Sequence, residues 1–281
     1  MSLETDRRSG RSESRTAHYL RLISVPDLPP RTSPFDPGYD PVTVESHLEQ
    51  SGHLMSVLKI SMACWQIADE ASTRRKVQAA RRAGVPTCTG GGPFDVAATF
   101  GKLPEFMDVC ADIGVDRIEA GEGFTEQSLD PNVIVKLARD RGLDVQYEAG
   151  KKHGGTFTAD VVQGLLDEGQ AWLDAGAKSI VIEGRESALN VGLFDGQGKV
   201  NAEFAERFVN AWGFDRVVFE APNKPSQFAL LNHFGPPVQM SNVRLEELLR
   251  VEIYRRGLHS DAFAQDNLRP KGPLAVQERA I

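Results

Sequence analysis

Four glutamates close or nearly close apolar runs in succession: Glu119 in VDRIEA, Glu148 in LDVQYEA, Glu183 in KSIVIE and Glu220 in FDRVVFEA. Cations accompany them. Lys59 lies in MSVLKIS, Lys151 and Lys152 follow Glu148, and Arg185 follows Glu183. Carboxylates that converge on one point repel each other and require a bound proton or a cation. Mg2+ suits an all-oxygen donor set and keeps part of its hydration. The lysines and Arg185 would neutralise and hold a phosphate or a carboxylate. A lysine placed among other cations in a partly dry site can lose its proton near neutral pH and act as acid or base. Gly90 and Gly91, with Gly92, either make a tight turn or let a phosphate approach the backbone. Ser241 and Asn242 precede LEELL, where they would cap a helix or hold an anion at its N-terminus. His153 in its glycine-flanked loop is a further candidate, whereas His233 and His259 read as surface or packing residues.

These side chains can meet only if the runs that carry them are neighbours. The stretch from Leu143 to Ser187 reads as strand, polar loop, helix, strand, polar loop, and the rest of the chain repeats that unit. Strands are expected at Arg31–Phe35, Met55–Ser61, Val85–Thr89, Val115–Ala120, from Leu143, from Lys178, at Arg216–Glu220 and within PPVQMSN. Helices are expected at Val42–Gln50, Ala68–Ala83, Leu103–Ile113, Pro131–Arg141, Thr158–Ala175, 201–212, Ser226–Phe234 and Arg244–Arg256. Gly84, Gly114 and Gly142 stop three of these. Eight strand–helix units in about 230 residues favour a closed (β/α)8 barrel over an open sheet. No GxGxxG follows the first strand, which disfavours a dinucleotide fold. In a barrel the carboxyl ends of all strands open into one mouth, and the glutamates would share it.

The barrel is expected over residues 30–261. Residues 1–29, rich in Arg, Ser, Glu and then Pro, read as a flexible tail. Within it HYLRLISV, His18–Val25, has the content for a short strand or for packing on a neighbour. Residues 262–281 read as a loose C-terminal tail. The net charge of −7 at pH 7 leaves no basic surplus for nucleic acid or an anionic membrane. No apolar run approaches the ~20 residues needed to span a bilayer, and the start has no apolar core of a signal peptide. Cys64, Cys88 and Cys110 form no CxxC pair and read as reduced thiols of a cytoplasmic protein. A small phosphorylated acid is the expected partner. An apolar outer helix face could support a symmetric homo-oligomer.

EAGKK, VIEGRES, FEAP, the Gly90–Gly91 strand end and the closing RRGLHSD together resemble the phosphosulfolactate synthase family, from about Asp36 to Asp261. The resemblance implies a (β/α)8 barrel that uses Mg2+ and adds sulfite to phosphoenolpyruvate, giving 2-phospho-3-sulfolactate. It makes Lys151 the acid that protonates the carbon next to the carboxylate, with Lys152 the alternative. It matches Lys59 to a family lysine and Arg185 to an anion clamp. It makes Glu119, Glu148, Glu183 and Glu220 the pool of metal ligands and their supports. The chain departs from the family at Asp36-Pro37-Gly38, where a lysine is usual. It departs again at Ala63-Cys64-Trp65, where Trp65 would face substrate in place of a small hydroxyl, at Gly121-Glu122-Gly123 and at Ser241-Asn242. Those departures keep two other readings open: a non-catalytic barrel that binds partners or acts under stress, and a lyase that forms C–C bonds on a phosphorylated small acid.

Overall fold

The computed structural model describes residues 14–60, 62–123 and 129–270. Ser61, expected at the end of the second strand, lies outside them, as do residues 1–13 and 271–281 of the expected tails. Helix α1 (Arg15–Leu22) starts at Ser14, whose hydroxyl accepts from the Ala17 amide at 3.2 Å, and buries no residue. HYLRLISV is therefore mainly helix and not strand; it carries its apolar residues on an exposed turn.

The body alternates as expected. Strand β1 (Thr32–Asp36) leads to α2 (Pro41–Ser51), and β2 (Leu58–Ile60) leads to α3 (Cys64–Ile67) and α4 (Glu70–Arg82). Strand β3 (Thr87–Thr89) is followed by α5 (Gly91–Thr99) and α6 (Leu103–Ile113), then β4 (Arg117–Gly121), α7 (Pro131–Arg139), β5 (Asp144–Ala149) and α8 (Ala159–Ala175). Strand β6 (Ile180–Ile182) gives way to a long loop and α9 (Ala202–Trp212). Then come β7 (Val217–Glu220), α10 (Lys224–Phe234), β8 (Gln239–Arg244), α11 (Leu248–Arg255) and α12 (Ser260–Phe263). The eight strands pair in parallel in chain order and β8 closes on β1, so the sheet is a closed (β/α)8 barrel.

Local chemistry sets the helix ends. Asp40, Asp69, Asp130, Thr158, Asn201 and Asn223 cap the starts of α2, α4, α7, α8, α9 and α10 through their side chains, satisfying amides that have no partner in the helix. Gly114 ends α6 at φ 92°, a left-handed position that favours glycine. Two departures from expectation follow from short segments. The Gly90–Gly92 triplet is not a turn but the start of α5, because only Gly90, at its cap, is extended. Residues 262–270 do not hang loose, since Ala262 and Leu268 are buried against the barrel.

Period-two alternation divides each strand between barrel and helix layer. Ile118, Ala120, Val145, Tyr147, Ile180 and Phe219 face out into the helix layer, where Tyr147 stacks on Trp172 of α8 at 4.3 Å. The intervening residues face the barrel axis. Near β1 and β8 a buried network ties the closure: the Thr32 hydroxyl donates to Glu252 at 2.6 Å, and Arg255 bonds Glu252, Thr32 and the carbonyls of Pro236 and Val238.

Candidate active site

The inward positions at the carboxyl ends of the strands carry the charge. Lys59, Glu119, Glu148 and Glu220 come from β2, β4, β5 and β7, and Glu183 lies one residue beyond β6. All five are buried. They line a cavity of about 780 Å³ at the barrel mouth, together with Lys152, Arg185, Asn242, Gly90 and Gly91. Most of the expected site residues therefore meet in one place.

Lys59 is the hub of one half. Its ammonium lies 2.7 Å from Glu119, 3.6 Å from Glu220 and 3.1 Å from the Asn242 side-chain oxygen. Lys152 is the hub of the other, 2.5 Å from Glu148 and 3.1 Å from Glu183. Burial alone would favour loss of both lysine protons, but the surrounding carboxylates outweigh it and hold both ammonium groups above their ordinary range. The expectation of a lysine among cations is reversed: these lysines sit among anions and stay charged.

The glutamates are not equivalent. Glu119 accepts from Lys59, from the Gly91 amide at 2.9 Å and from Gln146 at 2.7 Å, so both of its oxygens are occupied. As placed it supports Lys59 and the start of α5. Burial pushes its carboxyl up, Lys59 pulls against that, and Glu148 and Glu220 add to it, to about 7. Glu148 is buried too, but Lys152 and Lys59 hold it down, to about 2. Glu183 accepts from the Arg185 amide at 2.6 Å and from Lys152 at 3.1 Å; burial, with the negative charges of Glu220 and Glu148, outweighs Lys152 and pushes it up to about 10. Glu220 accepts from Asn242 at 2.5 Å and from the Gly184 and Arg185 amides at 2.9 Å each.

Two candidates are misplaced. Lys151 is exposed and donates to the Glu122 carbonyl at 2.7 Å, in a separate cleft beside Tyr147 and Trp172. Within β5, Tyr147 and Ala149 face the helices and Gln146 and Glu148 face the barrel axis; the strand ends at Ala149, and beyond Gly150, at φ 122°, the chain turns so that Lys152 meets Glu148 while Lys151 points to Glu122. Ser241 is buried opposite Glu220, its hydroxyl lacks a partner among the described residues, and it does not line the cavity. Neither Ser241 nor Asn242 caps a helix, because both lie within β8. Asn242 instead occupies a bulge at φ 56°, left-handed for a non-glycine residue, which aims its amide between Lys59 and Glu220. His153 is exposed and is not among the cavity's lining residues.

Trp65 does not face substrate. It is buried against Phe106 at 6.2 Å between ring centroids, and Met62 and Ala63 just before α3 and Gln66 within it line the cavity instead. Gln146 and the buried pair Lys76–Asp36, 2.7 Å apart, had no signal in the sequence because their partners are remote in the chain. Arg185, also at a left-handed φ of 56°, has no side-chain hydrogen bond or ion pair among the described residues, and its guanidinium is available to an anion at the cavity wall.

Comparisons with known proteins bear on the fold and the family. A search of solved structures aligns the barrel with KGPDC from Streptococcus mutans at 12% identity and a TM-score of 0.52, covering 82% of this chain and 99% of that one; this shows the fold alone. Phosphosulfolactate synthase of Methanocaldococcus jannaschii is 31% identical over 231 residues, 82% of this chain and 92% of the relative. The enzyme of the same name from Methanothermobacter thermautotrophicus is 26% identical over 238 residues, 84% and 92% of the two chains. Residues 30–261 match the family described as (2R)-phospho-3-sulfolactate synthase (ComA), so this chain belongs to the phosphosulfolactate synthase family.

Proposed function

We propose that this enzyme forms a C–S bond at the methylene carbon of phosphoenolpyruvate, with sulfite as the nucleophile that the relatives' name points to. The observation that carries the reading is the mouth itself: a charged Lys152 between two carboxylates, facing a cavity whose wall holds the guanidinium of Arg185, which has no side-chain partner among the described residues. Arg185 binds the phosphate or the carboxylate of the acceptor. Asn242 and Glu119 fix Lys59, which adds a second positive charge on the opposite wall. Attack at the methylene carbon moves an electron pair onto the carboxylate, and the adjacent carbon then needs a proton. Lys152 carries that proton at neutral pH and is held within the cavity, so it is the acid in this reading. The carbon of such an intermediate is far more basic than an amine, so a firmly held lysine proton is no obstacle.

Mg2+ belongs to the same proposal. Among the described residues no group of three His, Cys, Asp or Glu side chains is arranged as a ready cage. Mg2+ needs no such cage, because one or two carboxylates plus waters and substrate oxygens suffice. The run Glu148–Glu183–Glu220 fits that demand, since crowding forces Glu183 to keep a proton that a dication would replace. Glu148 and Glu183, with Glu220 behind them, would hold the ion. Once bound, it would stabilise the charge that develops on the acceptor's carboxylate.

The burial of Trp65 away from the cavity removes one ground for a non-catalytic barrel. The test is product analysis by mass spectrometry with phosphoenolpyruvate, sulfite and Mg2+. A product heavier by one sulfite, lost on chelation, is expected. Unchanged phosphoenolpyruvate in every sample would refute the reading.

A further inference from the structure

A second cavity of about 350 Å³ adjoins the mouth and shares Met62, Glu186 and Asn242 with it. Arg244 is the cation among its lining residues, and Phe35 and Pro222 are part of the same wall. Strand register explains where it opens. Phe35 of β1 pairs with Lys59 of β2 on one side and with Arg244 of β8 on the other. Asn242, two residues before Arg244, bonds the Lys59 ammonium at 3.1 Å and lines both cavities. The chamber therefore continues the β8–β1–β2 wall of the mouth. Eight strands pair in chain order around the ring, so β1 stands opposite β5. Glu148, Lys152 and Glu183 belong to the β5–β6 wall, and the chamber to the wall facing them.

Phosphoenolpyruvate carries its carboxylate and its phosphate oxygen on the same trigonal carbon, so the two groups diverge. With the carboxylate at the Glu148–Glu183 ion site, the phosphate is directed away from β5 and β6. The opposite wall offers two cations, Lys59 and Arg244. Lys59 is committed to Glu119 at 2.7 Å and to the Asn242 oxygen at 3.1 Å, with Glu220 at 3.6 Å. Arg244 is held less firmly. Its Nε donates to Glu246 at 3.0 Å, in a pair whose side chains are 47% and 48% exposed. An exposed pair of this kind contributes little and is readily exchanged for another anion. The guanidinium lies 5.9 Å from the centroid of the Phe35 ring, which keeps it beside the chamber. Its planar fork matches phosphate oxygens two at a time. Phosphate sites in barrels of this kind are frequently built from the ends of strands seven and eight, where Pro222 and Arg244 lie.

We propose that Arg244 binds the phosphate of the acceptor at the edge of this chamber, which leaves Arg185 and the bound ion to the carboxylate. The inference takes its acceptor from the C–S reading above and adds the side chain that holds the phosphate.

The test measures binding of phosphoenolpyruvate to the whole protein in Mg2+ by calorimetry, without sulfite, for wild type, Arg244→Gln and Glu246→Gln. Arg244→Gln should weaken binding about tenfold or more, the scale of lost hydrogen bonds between charged groups. Glu246→Gln breaks the same surface pair but keeps the guanidinium, and should bind as tightly as wild type or more tightly. The gap between wild type and Arg244→Gln should widen from about pH 5.5 to about pH 7.5, because a phosphate monoester loses its second proton near pH 6. A contact to the carboxylate would give a constant gap there, since carboxylates ionise at lower pH. The titratable neighbours of Arg244, which are Glu246, Tyr39 and the chamber's Glu186, are common to both proteins, so the ratio of affinities isolates the guanidinium. Unchanged affinity in Arg244→Gln, an equal loss in Glu246→Gln, or a gap that stays constant with pH overturns the assignment. Binding with the expected pattern but no sulfite product in the mass assay leaves the phosphate site standing and overturns the C–S reading. No binding of phosphoenolpyruvate to the wild type overturns both.

Discussion

Lys152 and Lys151 are neighbours in sequence with different surroundings, and the difference is testable. Lys152 lies 2.5 Å from Glu148 inside the mouth, and Lys151 reaches the Glu122 carbonyl outside it. Replacing Lys152 by Ala removes the proton donor of the proposed reaction, and kcat should fall by about 10²–10⁴. Lys151→Ala should keep turnover within a few-fold of wild type. Equal losses in steady-state assays of the two variants would remove Lys152 from its role. Glu183 gives a second prediction at this scale. Its carboxyl, pushed up to about 10 by burial and by Glu220 and Glu148, is protonated at pH 7.5 without a bound cation. Binding of Mg2+ favours the carboxylate, so it should release close to one proton per ion. Calorimetric titrations in two buffers of different ionisation enthalpy measure that number, and proton uptake or no exchange would contradict the proposed ion site.

The element that decides the geometry of Glu183 is the loop between β6 and α9. It is not loose: Val191, Leu193 and Phe194 are buried, Phe194 bridges Val191 and Val200, and Gly192 bridges Thr156. Gly192 has φ 56°, and a Cβ there would stand 2.1 Å from the Glu183 carbonyl oxygen. No side chain fits without moving either the strand end or the loop. Gly192→Ala should therefore displace Glu183 and Arg185, and a shift of about 1 Å in a catalytic array costs on the order of a hundredfold in rate. Wild-type turnover in that variant would show that the loop does not position the mouth. The bulge in β8 acts similarly, since an extra residue there lets Asn242 face inward beside Ser241. Strand and helix identity followed from periodicity and capping residues. The bulge and the loop contacts did not, because each depends on a partner strand.

At the scale of the whole molecule the barrel must close, and Arg255 is a large part of how it does. Its guanidinium is fully buried and joins α11 to Thr32 of β1 and to the carbonyls of Pro236 and Val238 just before β8. Arg255→Ala leaves Glu252 and two carbonyls without that partner, at a cost of about 3–5 kcal/mol. At roughly 2–4 °C per kcal/mol for a large domain, the melting temperature should fall by about 10 °C. A loss below about 2 °C in a thermal melt would show that the network is dispensable. The sequence alone determined the alternation of strands and helices, the eight units, and the glutamates and lysines at strand ends. Those properties are written in local periodicity, in capping residues and in motifs of a few adjacent positions. Only the tertiary structure decided which of two adjacent lysines enters the mouth, that Glu119 braces Lys59, that Trp65 turns into the core, and that a second chamber opens beside Asn242. Each of those depends on closure of the sheet, which brings Lys59 within 4 Å of both Glu119 and Glu220. The distances that set charge, proton affinity and cavity shape are between residues far apart in the chain.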